Sequence, residues 1–156
     1  MKLIPHSKCS FFVQLDKSEC KERLSRHIGK VSYNNWKREP VSAFSGKLDV
    51  DGFKVRRNID YKNGFIPILS GIFVPESDGT NIEITAKMST GTILLMSAFY
   101  SFISIPLMGA LYTDSIMFKI IPMFMMVFGW VLINTAFWYE QPRSISKLKD
   151  LLNEKC

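Results

Sequence analysis

Charge is nearly missing from the middle of this chain: between residues 92 and 138 only Asp114 and Lys119 carry it. A stretch with so little charge leaves no polar face for water to wet, which argues against two buried helices of a soluble bundle. Histidine is also scarce. His6 and His27 are the only two, far apart and without metal-ligand spacing, so no zinc or other metal site is expected. Cysteine is limited to Cys9, Cys20 and Cys156. An odd count in a cytoplasm-facing protein reads as free thiols, and Cys156 is not followed by the tripeptide of a prenylation box. No Cys-x-x-Cys, Gly-x-Ser-x-Gly, phosphate-binding loop or dinucleotide fingerprint occurs. The expectation is a protein that is not an enzyme and takes no cofactor. Nor does a polar, Met-led start resemble an apolar signal peptide, so the apolar spans themselves are expected to direct insertion.

What is present falls into two regimes. Residues 1–90 carry 15 Lys/Arg against 10 Asp/Glu. Two apolar runs follow, Ile93 to Tyr112 and Ile116 to Trp138. Each is long enough to cross a bilayer, which takes roughly 20 residues. Thr113-Asp114-Ser115 between them allows only a tight hairpin. Lys119, one turn inside the second run, can snorkel to headgroups, and Tyr112 and Trp138 suit the interface. Lys87 flanks the first run, and Arg143, Lys147 and Lys149 flank the second. The positive-inside rule then puts both termini in the cytoplasm. The net charge of +6 is spread along those flanks, so nucleic acid is not an expected partner. Ser97, Ser101, Ser104 and Asn134 are the polar residues of the spans and suit helix–helix hydrogen bonds.

The remaining sequence predicts an α+β domain over residues 1–90, a transmembrane hairpin over 91–139 and a cytoplasmic C-terminal helix over 140–156. Phe11 to Leu15 alternates like a strand. Asp16 with Glu19 three residues later forms a capping box opening a helix to about Ile28. Cys20, Leu24 and Ile28 share its apolar face, and Val31 extends it. Residues 32–41 read as a loop in which Trp36 serves as an anchor and Pro40 blocks helix continuation. A four-stranded antiparallel meander follows. Its inward sets are Phe44, Gly46, Leu48 and Val50; Phe53, Val55, Arg57, Ile59 and Tyr61; Ile66, Ile68, Ser70, Ile72 and Val74; and Ile82, Ile84, Ala86 and Met88. Asp51-Gly52 and Asn63-Gly64 are read as two-residue turns. That register sets Gly46, Arg57, Ser70 and Ala86 side by side, a notch of small residues around one guanidinium.

Arg57 is always charged and cannot shed a proton to enter a core. It needs a carboxylate, carbonyls, water or a bound anion. A structural pair with Glu22, Asp16 or helix-end carbonyls is one reading. A ligand site formed by Arg57, Ser70, Gly46, Ala86 and Tyr61 is the other. The opposite sheet face carries Lys54, Arg56, Asn58, Asp60 and Lys62 with Phe65, Leu69 and Phe73. It would rest on anionic headgroups or be covered by Trp36 and its segment. Pro67 implies a bulge or an unpaired edge. Pro142 is read as opening the last helix, whose stripe of Ile145, Leu148, Leu151 and Leu152 wants a partner, either the sheet or the bilayer.

Two resemblances follow. With the hairpin set aside, the element order resembles a reduced helix-grip domain, a curved sheet around a C-terminal helix; such domains often bind apolar ligands, an analogy of fold only. Phe44, Gly46, Phe53, Arg57, Ile59, Tyr61, Asn63, Phe65, Pro67 and Gly71 are similar to a pattern in small bacterial two-span membrane proteins of unassigned function. That resemblance implies a multi-pass protein of the bacterial inner membrane and supplies no activity. Three functions are open. A non-enzymatic module would bind a lipid-like or anionic ligand, or a protein partner, at the membrane surface. An accessory or immunity-type subunit would dock its spans on a larger membrane protein or on another copy. An oligomeric channel is the third.

Overall fold

The last helix decides the architecture. In the computed structural model, which describes residues 5–29, 42–59, 64–113 and 115–153, α3 runs unbroken over Ile116–Asn153. At about 1.5 Å per residue it is roughly 57 Å long, nearly twice the ~30 Å hydrocarbon core of a bilayer. Its first part is apolar and exposed; its last part lies on a sheet. The expected break near residue 140 is therefore absent. Pro142 sits inside the helix instead of starting one. Proline there removes the hydrogen bond to the Trp138 carbonyl and costs about 3 kcal/mol. Phe137, Ile145, Leu148, Leu151 and Leu152 are all buried around it, and each such side chain contributes roughly 1.5–3 kcal/mol. Packing outweighs the proline.

The sheet has six strands: β1 (His6–Val13), β2 (Ile28–Gly29), β3 (Phe44–Leu48), β4 (Gly52–Arg57), β5 (Ile68–Glu76) and β6 (Gly79–Lys87). Their spatial order is β1-β6-β5-β4-β3-β2. All pairs are antiparallel except β2 with β3. The expected meander is present, with β1 added beside β6. Helix α1 (Lys17–His27) and the end of α3 cover one face, where Val13, Phe53, Val55, Leu69, Phe73, Ile82 and Ile84 join Cys20, Leu24, Phe137 and Leu148 in one core. The C-terminal stripe thus packs on the sheet. Asp16 caps α1 by accepting from Ser18 N at 3.1 Å, and hydrogen bonds from Ser18 hold its carboxyl below the usual range. Glu19 pairs with Arg23 at 2.9 Å.

Register departs from expectation in two places. The β3–β4 hairpin turns at Val50-Asp51, closed by Asp49 N donating to Gly52 O at 2.8 Å; Val50 is 77% exposed. Gly46 consequently opposes Val55, and Phe44 opposes Arg57. On β5 the faces are reversed. Leu69, Gly71 and Phe73 point inward while Ile72 and Val74 are exposed. Both alternations of this strand are apolar, so the pattern alone is ambiguous. Packing resolves it: the Phe53 ring lies over Gly71, where a Cβ would collide with it, and meets the Phe73 ring at 5.4 Å between centroids. Pro67 lies just beyond the last β4–β5 pair, Arg56 with Ile68, where its missing N–H is harmless.

Two helices are long and apolar enough to cross a membrane, α2 (Thr90–Gly109) and α3, and only 11% of each apolar window is buried. Core helices of a soluble protein would be mostly buried. A 3-10 turn, Ala110–Tyr112, ends α2. The helices pack where Phe99 and Tyr100 meet Gly129. Ser97 and Ser104 donate to carbonyls of their own helix, Ile93 and Ser101. Ser89 caps α2 by accepting from Thr92 N at 3.1 Å, two residues after β6 ends, so sheet and helix are joined without a slack linker. Val31, Trp36, Pro40, Asp60, Tyr61, Lys62, Asn63, Asp114 and Cys156 lie outside the described residues.

The β5 faces can be checked directly. Leu69→Ala should cost about 2–5 kcal/mol, whereas Ile72→Ala should stay within about 0.5 kcal/mol, both read by urea unfolding in mild detergent. A larger cost at Ile72 would mean that the strand is turned over.

Candidate functional site

Arg57 faces inward from the last position of β4, as its alternation with Phe53 and Val55 requires. Its partner is neither Glu22 nor Asp16. Nη2 of Arg57 donates to Oε2 of Glu140 at 2.5 Å. Arg57 keeps 18% of its side chain exposed and Glu140 only 2%. Glu140 is set by α3, two residues past the apolar stretch, and its backbone carbonyl accepts from Ser144 Oγ at 2.9 Å. The sheet and the long helix therefore meet through a buried charged contact beside a largely apolar core. Gln141 adds a polar contact to Ser7 at 3.2 Å, and Thr92 donates to the Gly64 carbonyl at 2.7 Å.

The expected notch does not form. Gly46 and Ala86 do share an inward row, but with Val55 and Leu69 between them. Gly46 is there for close backbone approach, since a Cβ would strike the Lys54 carbonyl. Ser70 is on the opposite face, beside Lys54 and Thr85. Tyr61 is outside the described residues. Of the described members of the anticipated set, Arg57 alone pairs with α3 across the junction. Glu140 was missed because it is 83 residues away in sequence and reads as the first polar residue after a span.

Beside Glu140 one flank of α3 borders a shallow, open groove of about 720 Å³ whose lining residues all belong to that helix. Phe128, Val131, Leu132 and Ala136 form its apolar length; Thr135, Tyr139, Glu140 and Arg143 form its polar end. The Arg143 guanidinium lies 3.8 Å from the Tyr139 ring centre, a cation–π contact. This wall has the polarity of an amphiphile. The two described thiols are both made less acidic by their surroundings. Burial pushes Cys9 up, with Lys149 pulling weakly the other way, and burial is the main cause raising Cys20. A reactive cysteine needs the opposite shift.

No protein-family model, curated protein or solved structure matches the chain, so the site is read from its own geometry.

Removing one member of a buried pair strands the other charge. Arg57→Ala should lower stability by about 3–5 kcal/mol, and the double change Arg57→Met with Glu140→Leu should recover most of that loss, measured by thermal unfolding in detergent. Equal loss in the single and double variants would show that the pair itself carries nothing.

Proposed function

We propose that the protein is a non-enzymatic, multi-pass module of the bacterial inner membrane that holds a lipid-like anionic ligand where its spans enter its cytoplasmic domain. The observation that carries this reading is the groove on α3. Its apolar length lies along the span, and its polar end, at Tyr139 and Arg143, adjoins the Arg57–Glu140 pair. An acyl chain would lie against Phe128 and Leu132, and an anionic head would meet Arg143. Arg57 takes no ligand in this arrangement; it sets the position of Glu140 and so the geometry of the groove's mouth. The non-enzymatic reading is supported by the neutralised ion pair and by thiols that burial makes less acidic. Basic flanks keep both termini cytoplasmic.

The exposed apolar surface of the spans would also suit an accessory subunit docked on a larger membrane protein. Lipid covers such surface equally well, and Ser97 and Ser104 spend their hydroxyls on their own helix, which leaves the groove as the more specific feature.

Native mass spectrometry of gently extracted protein tests the reading. Wild type should carry an amphiphile. Arg143→Gln should hold it roughly tenfold less well, the value of one charge-assisted hydrogen bond, and Thr135→Trp should block it sterically. A wild type that carries nothing, or variants that retain as much, would remove the ligand from the account. Topology is checked separately in a cysteine-free background. A membrane-impermeant maleimide should label Ser115→Cys only from the periplasmic side and Ser70→Cys only from the cytoplasmic side.

A further inference from the structure

The sheet face opposite the core is covered by neither α1 nor α3, and its charge is arranged in rows. The row nearest the spans reads His6, Lys87, Ile68, Arg56 and Ser45 across five strands; the next reads Lys8, Thr85, Ser70, Lys54 and Lys47. These two rows contain no carboxylate. The next row outward carries the acidic residues, Glu83 beside Ile72 and Asp49 opposite Gly52. Lys8, Lys47, Lys54 and Lys87 are exposed, and among the described residues no ion pair involves them. With strands about 4.8 Å apart the band is roughly 19 Å wide.

The height of this band follows from how α3 lies on β1. Gln141 reaches Ser7, and Lys149 reaches Phe11. Eight helical residues advance about 12 Å and four strand residues about 13 Å, so the helix and the strand run side by side in the same direction. If α3 crosses the bilayer, the strands stand along its normal. The first basic row is then level with Tyr139, where the span ends, and the second with Arg143, about 7 Å further out. That interval matches the ~6 Å headgroup layer of one leaflet.

We propose that this basic band is a docking surface for anionic phospholipid headgroups of the adjoining leaflet, so that the domain stands in the headgroup layer with lipid phosphates against its outer face. Its chemistry favours lipid over single-stranded nucleic acid, because no phenylalanine, tyrosine or tryptophan lies in either row to stack a base. Its height favours lipid over an acidic protein. Each lysine in such a layer brings about a fivefold preference for anionic lipid. The inference rests on the membrane insertion proposed above and is independent of the groove.

The test uses the full chain in nanodiscs of phosphatidylcholine with a minority of phosphatidylglycerol. A photo-crosslinking residue is placed at Ser70 in the band, at Val74 further from the spans, or at Leu94 in the first span. The expected result is lipid adducts at Ser70 enriched in phosphatidylglycerol above its bulk share, and none at Val74. The triple variant Lys8→Gln, Lys54→Gln, Lys87→Gln should cut that enrichment at least tenfold, while Arg143→Gln leaves it intact. Adducts at Leu94 with none at Ser70, or at Ser70 in the bulk lipid ratio, overturn the band alone. Protein or nucleic-acid adducts at Ser70 in cell membranes overturn it in favour of another partner. Absence of lipid adducts at both Leu94 and Ser70 overturns the membrane reading beneath it.

Discussion

The arrangement depends on a buried ion pair at the place where an apolar helix meets a sheet. Arg57 and Glu140 each would be costly alone, because desolvation disfavours an unpaired charge by several kcal/mol. Together they offset each other's charge when α3 lies on the inner face at the observed height and rotation. Apolar packing by Leu148, Leu151 and Leu152 supplies the larger share of the attraction but is tolerant of sliding. The charged contact is not. It selects one register of the helix on the sheet, the role for which buried polar pairs are best attested. The height of the basic rows of the sheet relative to α3 follows from that register.

Continuity of α3 gives the contact its reach. Because the helix is unbroken from the hairpin tip to the distal end of the sheet, a displacement of the span cannot be absorbed in a linker. Ser89, Thr92 and the Gly64 carbonyl close the other connection in the same way. The proposed function uses this stiffness: ligand at the mouth of the groove, headgroups on the outer face and the ion pair between them would act on one body.

Much of this was legible in the residues, for physical reasons that can be named. Loss of charge over 92–138 marked both long helices. Strict alternation marked the inward sets of β6 and of β4 up to Arg57, and Asp16, Cys20 and Leu24 marked α1. Three features were hidden. The faces of β5 were hidden because Ile68, Ser70 and Ile72 alternate as plausibly as Leu69, Gly71 and Phe73; the choice lies with Phe53, which needs Gly71 beneath its ring. The true hairpin turn was hidden because Asp51-Gly52 imitates a turn pair, while Gly52 is needed as a strand residue in close approach to Gly71. The partner of Arg57 was hidden because Pro142 looks like the start of a new helix, which separates Glu140 from the span in a local reading. Tertiary packing overrides proline there, and local rules cannot weigh that.

α3 passes without a break from its exposed apolar stretch to the sheet, where the Arg57–Glu140 pair holds it. The measurement to make is hydrogen exchange of the amides from 134 to 152 on the full chain in nanodiscs. A rigid helix gives protection through Tyr139, Glu140, Arg143 and Ser144 comparable to that at Leu148 and Leu151. Fast exchange confined to residues 139–144, between protected segments on either side, would reveal a hinge and contradict it.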